Sequence, residues 1–135
     1  PHRLDVPSSG LILCGTTFSG LMSLRWQLDT YRVERQYAVW GHDLAASTLR
    51  EVVANIDPQT IDSRRSFTSD VYGKPAKSWF TITAHFGRNL CTAFMVRIRT
   101  GRRHQIRAHM LRAGHPSVVD GKYAAARVAF YCLAR

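Results

Sequence analysis

Residues 79–99 constrain the fold more than any other stretch. Residues 79–86 and 91–99 are both rich in β-branched and aromatic side chains, and Gly87-Arg88-Asn89-Leu90 between them supplies a short turn. Two such runs joined so closely predict an antiparallel hairpin. In the second run a period of two sets Phe94, Val96 and Ile98 on one face and Met95, Arg97 and Arg99 on the other. The first face belongs to a core, and the second is basic.

Thr100 follows at once and reads as the cap of a helix from about Gly101 to Ala113, closed by Gly114 in a left-handed conformation with Pro116 beyond it. Arg102 and Arg103 then fall in the first turn, where the helix dipole disfavours cations by several tenths of a kcal/mol, and a basic helix start makes an anion site. Arg107 shares a face with Arg103 at i, i+4, beside a stripe of Ile106 and Met110. Taken alone, Arg107 is a surface arginine.

Upstream, residues 11–15 read as a buried strand. Thr16 or Thr17 can cap a helix over residues 18–30, with Leu21, Leu24 and Leu28 at core spacing and Met22 and Trp26 as a second apolar pair. Residues 31–40 alternate loosely and predict a strand ending at Gly41. Residues 43–69 are ambiguous. Leu49, Val52, Val53 and Ile56 fit a helix over 45–56, yet 51–56 also passes for a strand, and Pro58 ends either one. Arg64 and Arg65 read as solvated loop charges.

A chain of 135 residues with 45% hydrophobic side chains suits one compact domain, able to bury roughly two-thirds of its unfolded surface. Its formal net charge of +10 is carried mostly by Arg, which points to a polyanionic partner and to bidentate phosphate contacts. Composition alone does not separate RNA, DNA and anionic lipid. A membrane surface would call for a strongly amphipathic basic helix, which the pattern lacks, so nucleic acid is favoured. No apolar run approaches about 18 residues and the start has no signal-peptide pattern, so no membrane span is expected. Cys14, Cys91 and Cys132 are odd in number and widely spaced, which fits reduced core thiols and an intracellular chain, in the cytoplasm or in an organelle with its own RNA. His104, His109 and His115 do not share one helix face and have no HExxH or CxxC beside them. They read as structural, with neither metal nor cofactor expected.

The remaining feature is His2-Arg3-Leu4-Asp5, followed by Val6-Pro7-Ser8-Ser9-Gly10. Pro-Ser-Ser-Gly marks a loop, where the Asp5 carboxylate can either meet a substrate or bond the turn's own backbone. Far downstream stand Thr100-Gly101-Arg102-Arg103-His104-Gln105-Ile106-Arg107-Ala108-His109, Gly114-His115-Pro116 and Asp120-Gly121-Lys122-Tyr123. Together these stretches resemble the RluA-type pseudouridine synthases, whose signature is H-R-L-D, two residues, T or S, S-G, later T-G-R-x-H-Q-I/L-R-x-H, then G-H-P and D-x-x-Y. Gly73-Lys74-Pro75-Ala76-Lys77-Ser78-Trp79-Phe80 is similar to the family's G-K-P-A-x-T-x-Y/F, with Ser78 for Thr. Val119 stands where the family usually has Gly, and the segment leading from Tyr37 to Gly41 is two residues shorter than the family's K-x-Y-x-A-x-V-x-G strand.

The resemblance runs from Pro1 to about Ala124. It implies an α/β (α+β) fold with a mixed, mostly antiparallel sheet and flanking helices, the Asp5 loop beside a cleft crossed by RNA. Motifs that the family carries before H-R-L-D and after this chain's last residues are not in it, so residues 1–135 read as part of a catalytic domain. The implied activity is isomerisation of a uridine in rRNA or tRNA to pseudouridine. By the same resemblance Asp5 is the nucleophile, Arg107 its partner and Tyr37 the ring that stacks on the flipped uracil and takes part in the later proton transfer. His2, Arg3, Lys74, Arg97, Arg99, Arg102 and Arg103 are candidate RNA contacts. The alternative is a catalytically silent scaffold of the same fold, bound to other chains of a ribonucleoprotein assembly.

Phosphate contacts from so many Arg side chains release counterions, so RNA affinity should fall with salt by about 0.7 log units per log unit of salt for each single-strand phosphate neutralised. Titrating one RNA at several salt concentrations measures the slope, and a flat response would remove phosphates as the source of affinity.

Overall fold

The hairpin forms the centre of a four-stranded antiparallel sheet. The computed structural model describes residues 2–6, 8–58, 65–118 and 120–124. Its elements are α1 (Phe18–Asp29), β1 (Arg35–His42), β2 (Glu51–Val53), β3 (Asn55–Asp57), β4 (Phe67–Ser69), β5 (Lys77–Phe86), β6 (Cys91–Ile98) and α2 (Gln105–Arg112). The sheet runs β1-β6-β5-β2, and β3 with β4 makes a separate two-stranded ladder. All described ladders are antiparallel. The β5 register slips between Ile82 and Ala84, and the Thr83 hydroxyl donates to Ala93 O across this bulge at 3.1 Å.

The alternation in β6 has the expected outcome. Phe94, Val96 and Ile98 are buried, while Met95, Arg97 and Arg99 are exposed. Phe94 meets Phe80 edge to face, at 6.0 Å between centroids and 82° between planes, and Met110 of α2 closes the same cluster. A second cluster joins Ile56, Ala76, Ala108 and Tyr123. Two faces of α2 thus serve two clusters, which fixes the helix against the sheet. On the outer face Trp40 stacks on Phe86 at 4.8 Å, and the charged groups of Arg97 and Lys77 lie 4.9 and 5.1 Å from the Trp79 ring centroid.

Residues 51–57 settle as strand. Val52 and Ile56 are buried between more exposed neighbours, the period of a pleated chain rather than a helix. Residues 31–34 do not join β1 as expected, because Tyr31 takes φ 57° at the end of α1, a left-handed conformation that reverses the chain. Residues 11–15 form no strand, and Leu11, Ile12, Leu13 and Cys14 are exposed, since no described strand lies beside them. The helix α1 forms, capped by the Thr17 side chain accepting from Gly20 N–H at 3.1 Å, yet none of its residues is buried. Leu21, Met22 and Trp26 are therefore surface residues here, and Arg32 lies over the Trp26 ring at 4.4 Å. Cys91 is a buried free thiol and Cys14 an exposed one, while Cys132 and Arg64 lie outside the described residues.

The largest difference concerns the start of α2. The helix begins at Gln105 rather than Gly101, because His104 sits at φ 54° and cannot continue a right-handed turn. Thr100 does not cap it. Its hydroxyl donates to Gln105 Oε1 at 2.8 Å, and Arg102 and Arg103 stand in the turn before the helix. Gly114 does take the left-handed conformation, at φ 84°. Among the described residues no helix is long and apolar enough to cross a membrane.

Phe94 is 1% exposed at the centre of the core. Phe94→Ala is expected to cost about 3–5 kcal/mol, by lost transfer energy and the cavity left behind. Urea unfolding of the two proteins measures the difference, and a loss under about 1 kcal/mol would mean that this cluster does not carry the fold.

Candidate active site

Five polar side chains converge where the N-terminal loop meets α2. Arg107, in the first turn of α2, lies at their centre. Its Nε donates to Asp120 Oδ2 at 2.5 Å and its Nη2 to Asp120 Oδ1 at 2.7 Å, a two-pronged pairing of planar groups. Nη1 remains, and it points at Asp5 Oδ2, 3.4 Å away. The guanidinium also covers the Tyr123 ring at 4.7 Å. His104 approaches from the other side, with Nε2 3.9 Å from the same Asp5 oxygen and Nδ1 3.0 Å from the Tyr123 hydroxyl. Side-chain exposure decides which group is reachable: Asp120 3%, His104 10% and Arg107 11%, against 28% for Asp5. The Asp5 carboxylate is the most open member of an otherwise buried cluster. Its main-chain oxygen, not the carboxylate, accepts the turn bond from Ser8 N–H at 2.8 Å.

Local sequence explains each position. Asp120 Oδ1 also accepts from the backbone N–H groups of Lys122 and Tyr123 at 3.1 and 3.3 Å, a turn that Asp closes readily. The turn of residues 100–105 is held by Gln105, which is buried and has both ends of its amide occupied. Its oxygen accepts from Thr100 and from Arg102 N–H, and its nitrogen donates to Lys77 O and Ser78 Oγ. His104 and Arg107 sit on either side of that anchor.

The charges are coupled. Burial alone would lower the Arg107 pKa, but the Asp120 bonds and charge, with Asp5 behind them, hold it above the ordinary value. Burial alone would raise Asp120, and the Arg107 bonds outweigh it, so this carboxyl is held below the usual range. His104 is pushed below its ordinary value, first by burial. Asp5 pulls it up, and Arg107, Arg103 and Lys122 push it down.

Of the residues singled out by sequence, Asp5 and Arg107 meet. Tyr37 lies on β1, half-buried against the core, and none of the described hydrogen bonds or ion pairs links it to Asp5. His2 braces the N-terminal loop, its Nε2 accepting from Leu13 N–H at 2.9 Å. Arg3 is exposed. Arg102 Nε donates to Pro75 O at 3.4 Å, and Arg103 and Lys74 are exposed. Arg97 and Arg99 emerge on the outer face of the sheet, where Arg97 is 3.8 Å from Glu34. The basic residues thus occupy more than one surface. Asp120, Tyr123 and His104 had no site role from the sequence, although the D-x-x-Y and T-G-R-x-H motifs contain them. His109 and His115 are structural as expected: His109 lies between Ser78 Oγ and Ala54 O, and His115 Nδ1 donates to His42 O at 2.9 Å. Among the described residues no group of three or more His, Cys, Asp or Glu could hold a metal ion.

The profile of the RNA pseudouridylate synthase family matches residues 1–112. The chain belongs to that family. It is 32% identical over 123 residues to the ribosomal large subunit pseudouridine synthase C of Buchnera aphidicola subsp. Schizaphis graminum, covering 90% of this chain and 38% of the relative. It is 32% identical over 126 residues to the dual-specificity RNA pseudouridine synthase RluA of Escherichia coli K12, covering 91% of this chain and 56% of the relative. The chain therefore spans about half or less of the length of these relatives. In structure, human RNA pseudouridylate synthase domain containing 1 superposes with a TM-score of 0.80 at 22% identity, over 90% of this chain and 53% of that one. Human RNA pseudouridylate synthase domain containing 4 gives 0.74 at 17%, over 90% and 50%. The α+β fold is that of these domains.

Because the folded pKa of Asp120 is lowered, its pairing stabilises the protein above the unfolded carboxylate value of about 3.9, and that contribution is lost as pH falls further through the folded value. Asp120→Asn should cost about 3–5 kcal/mol near neutrality, by leaving Arg107 without its buried counter-charge. It should also flatten the acid limb of stability. Unfolding free energies of both proteins between pH 6 and 2 test this, and parallel curves would exclude the pair as an acid-sensitive element.

Proposed function

We propose that this protein is an RNA pseudouridine synthase with Asp5 as its nucleophile. The observation that carries the reading is the Asp5 carboxylate, open to a substrate on one side and met from behind by an Arg107 that Asp120 holds in place. An Asp oxygen attacks the sugar carbon of the glycosidic bond and the base leaves through N1. The base turns, carbon C5 displaces the aspartate, and a proton moves from C5 to N1. Bonds and protons balance with no oxidant, reductant or metal. Arg107 supplies a fixed positive charge and a planar donor group that aim the carboxylate.

The target uridine must leave its stack to reach Asp5, at a cost of a few kcal/mol that phosphate contacts from the basic surface offset. Arg3, Arg102 and Arg103 are the candidates nearest in sequence to the site residues. Lys74, Arg97 and Arg99 extend the basic surface, with the last two on the far face of the sheet, while His2 braces the loop that carries Asp5. Tyr37, half-buried on β1, is assigned the stacking role and a part in the later proton transfer by family resemblance. Ribosomal or transfer RNA is the proposed substrate class, and the first of these is in line with the name of the Buchnera relative.

Asp5→Asn is nearly isosteric, so folding and RNA affinity should be retained while conversion of uridine vanishes. The assay uses the full-length protein and counts pseudouridine in cellular RNA. Conversion at the normal rate by Asp5→Asn would remove Asp5 as nucleophile. An intact Asp5 protein that converts no uridine would leave an RNA-binding scaffold.

A further inference from the structure

The face of the sheet turned away from Phe94 and α2 has an order of its own. Register sets Gln36 of β1, Arg97 of β6, Trp79 of β5 and Glu51 of β2 side by side in one row across it. Met95 and Thr81 are paired in the next row. Among them lies a hollow of about 350 Å³ lined by Gln36, Trp79, Thr81, Met95 and Arg97. All but the half-buried Trp79 are exposed, so among the described residues this part of the sheet carries no covering layer. An uncovered antiparallel face is normally polar, and an indole set in it leaves apolar surface in water. Contact with the Arg97 and Lys77 cations accounts for part of the ring. It does not account for the hollow beside it.

We propose that this hollow binds an unpaired nucleotide of an RNA strand, its base stacked on Trp79 and its phosphate held by Arg97. RNA as the ligand rests on the synthase reading, but binding here is independent of the Asp5 chemistry, which lies on the α2 side of the sheet. Each lining group supplies something such a ligand requires. An indole face takes any base by stacking, and the Met95 thioether is a soft apolar neighbour for it. The Gln36 amide and the Thr81 hydroxyl offer donors and acceptors to a base edge. Arg97 presents a planar fork to a phosphate. Arg99 follows on the same face, about 6.7 Å along the strand, a stride suited to successive phosphates of an extended chain.

Two carboxylates border the row and enter the balance. Glu34 accepts from Gln36 Nε2 at 2.7 Å and stands 3.8 Å from Arg97, and Glu51 pairs with Lys77 at 2.7 Å. Both ion pairs are about half exposed, where water and salt screen them, so a phosphate can displace Glu34 from Arg97. Lys77 stays with Glu51 and keeps its place beside the ring. A protein partner fits less well. Trp79 and Met95 are ringed by Gln36, Thr81, Arg97, Lys77 and Glu51, without the apolar core that a protein interface buries.

The test uses full-length protein with an unstructured oligoadenylate of about 12 nucleotides, and an RNA duplex of the same length for comparison. Trp79→Leu keeps apolar bulk without a π face and should weaken oligoadenylate binding about tenfold, while Trp79→Phe should stay within about threefold of wild type. Duplex binding should be indifferent to both. Arg97→Gln should reduce the slope of log affinity on log salt by about 0.7. Trp26→Leu, on the exposed α1, should change neither quantity. Thermal unfolding checks that each variant folds. Trp79→Leu binding oligoadenylate as tightly as wild type would overturn the site. Equal losses in Trp79→Leu and Trp79→Phe would also overturn it, by making the ring a structural element. Loss of a protein partner from Trp79→Leu with RNA affinity intact would replace it with a protein interface. Should Trp79→Leu fail to fold, an Arg97→Gln slope equal to that of wild type overturns the site by itself. Pseudouridine formation is scored separately: wild-type protein that binds through Trp79 and forms none keeps this site and loses the synthase reading.

Discussion

The pairing of Arg107 with Asp120 organises the site because a guanidinium has a limited set of edges. Two of its nitrogens are committed to Asp120, so the third can point in only one direction, and Asp5 lies there. A lysine could match the charge but not the constraint, since an ammonium rotates freely about its stem. Asp120 is itself immobilised by two backbone N–H groups. The orientation of a group near the chain's N-terminus is thus set by a turn more than a hundred residues away, through a single planar side chain.

A second chain of bonds ties this turn to the sheet, and it has a sense. His109 Nε2 faces a carbonyl, Ala54 O, and must donate; its Nδ1 therefore accepts from the Ser78 hydroxyl. Ser78 in turn accepts from Gln105. Every donor in the series Gln105, Ser78, His109 is directed the same way, ending on the carbonyl of the residue between β2 and β3. Buried polar groups are tolerated here because each is satisfied.

Much of this was legible in the sequence, and what was not has physical causes. The hairpin of β5 and β6 could be read because alternation, turn residues and face polarity agree. The start of α2 could not, because Thr100 has the chemistry of a cap and the sequence does not reveal that its hydroxyl is claimed by Gln105. Helix α1 was read correctly as helix and wrongly as buried: periodicity reports an apolar stripe, not what covers it. Asp5 and Arg107 were paired through the family motif rather than through any local signal, since a lone Asp in a turn and a lone Arg on a helix are both ordinary. His104 was set aside as structural because spacing tests for metal ligands are blind to a single histidine aimed by its own backbone.

The buried amide of Gln105 carries a chemical vulnerability. Hydrolysis of that amide to a carboxylate changes one nitrogen into one oxygen and hardly alters the shape. It would nonetheless set an oxygen with no proton to give against Lys77 O and against a Ser78 hydroxyl already turned to His109. Two acceptors would then confront a new negative charge in a place buried from solvent. Ageing of one side chain could loosen the turn that presents His104 and Arg107 while leaving every residue of the reaction centre chemically intact.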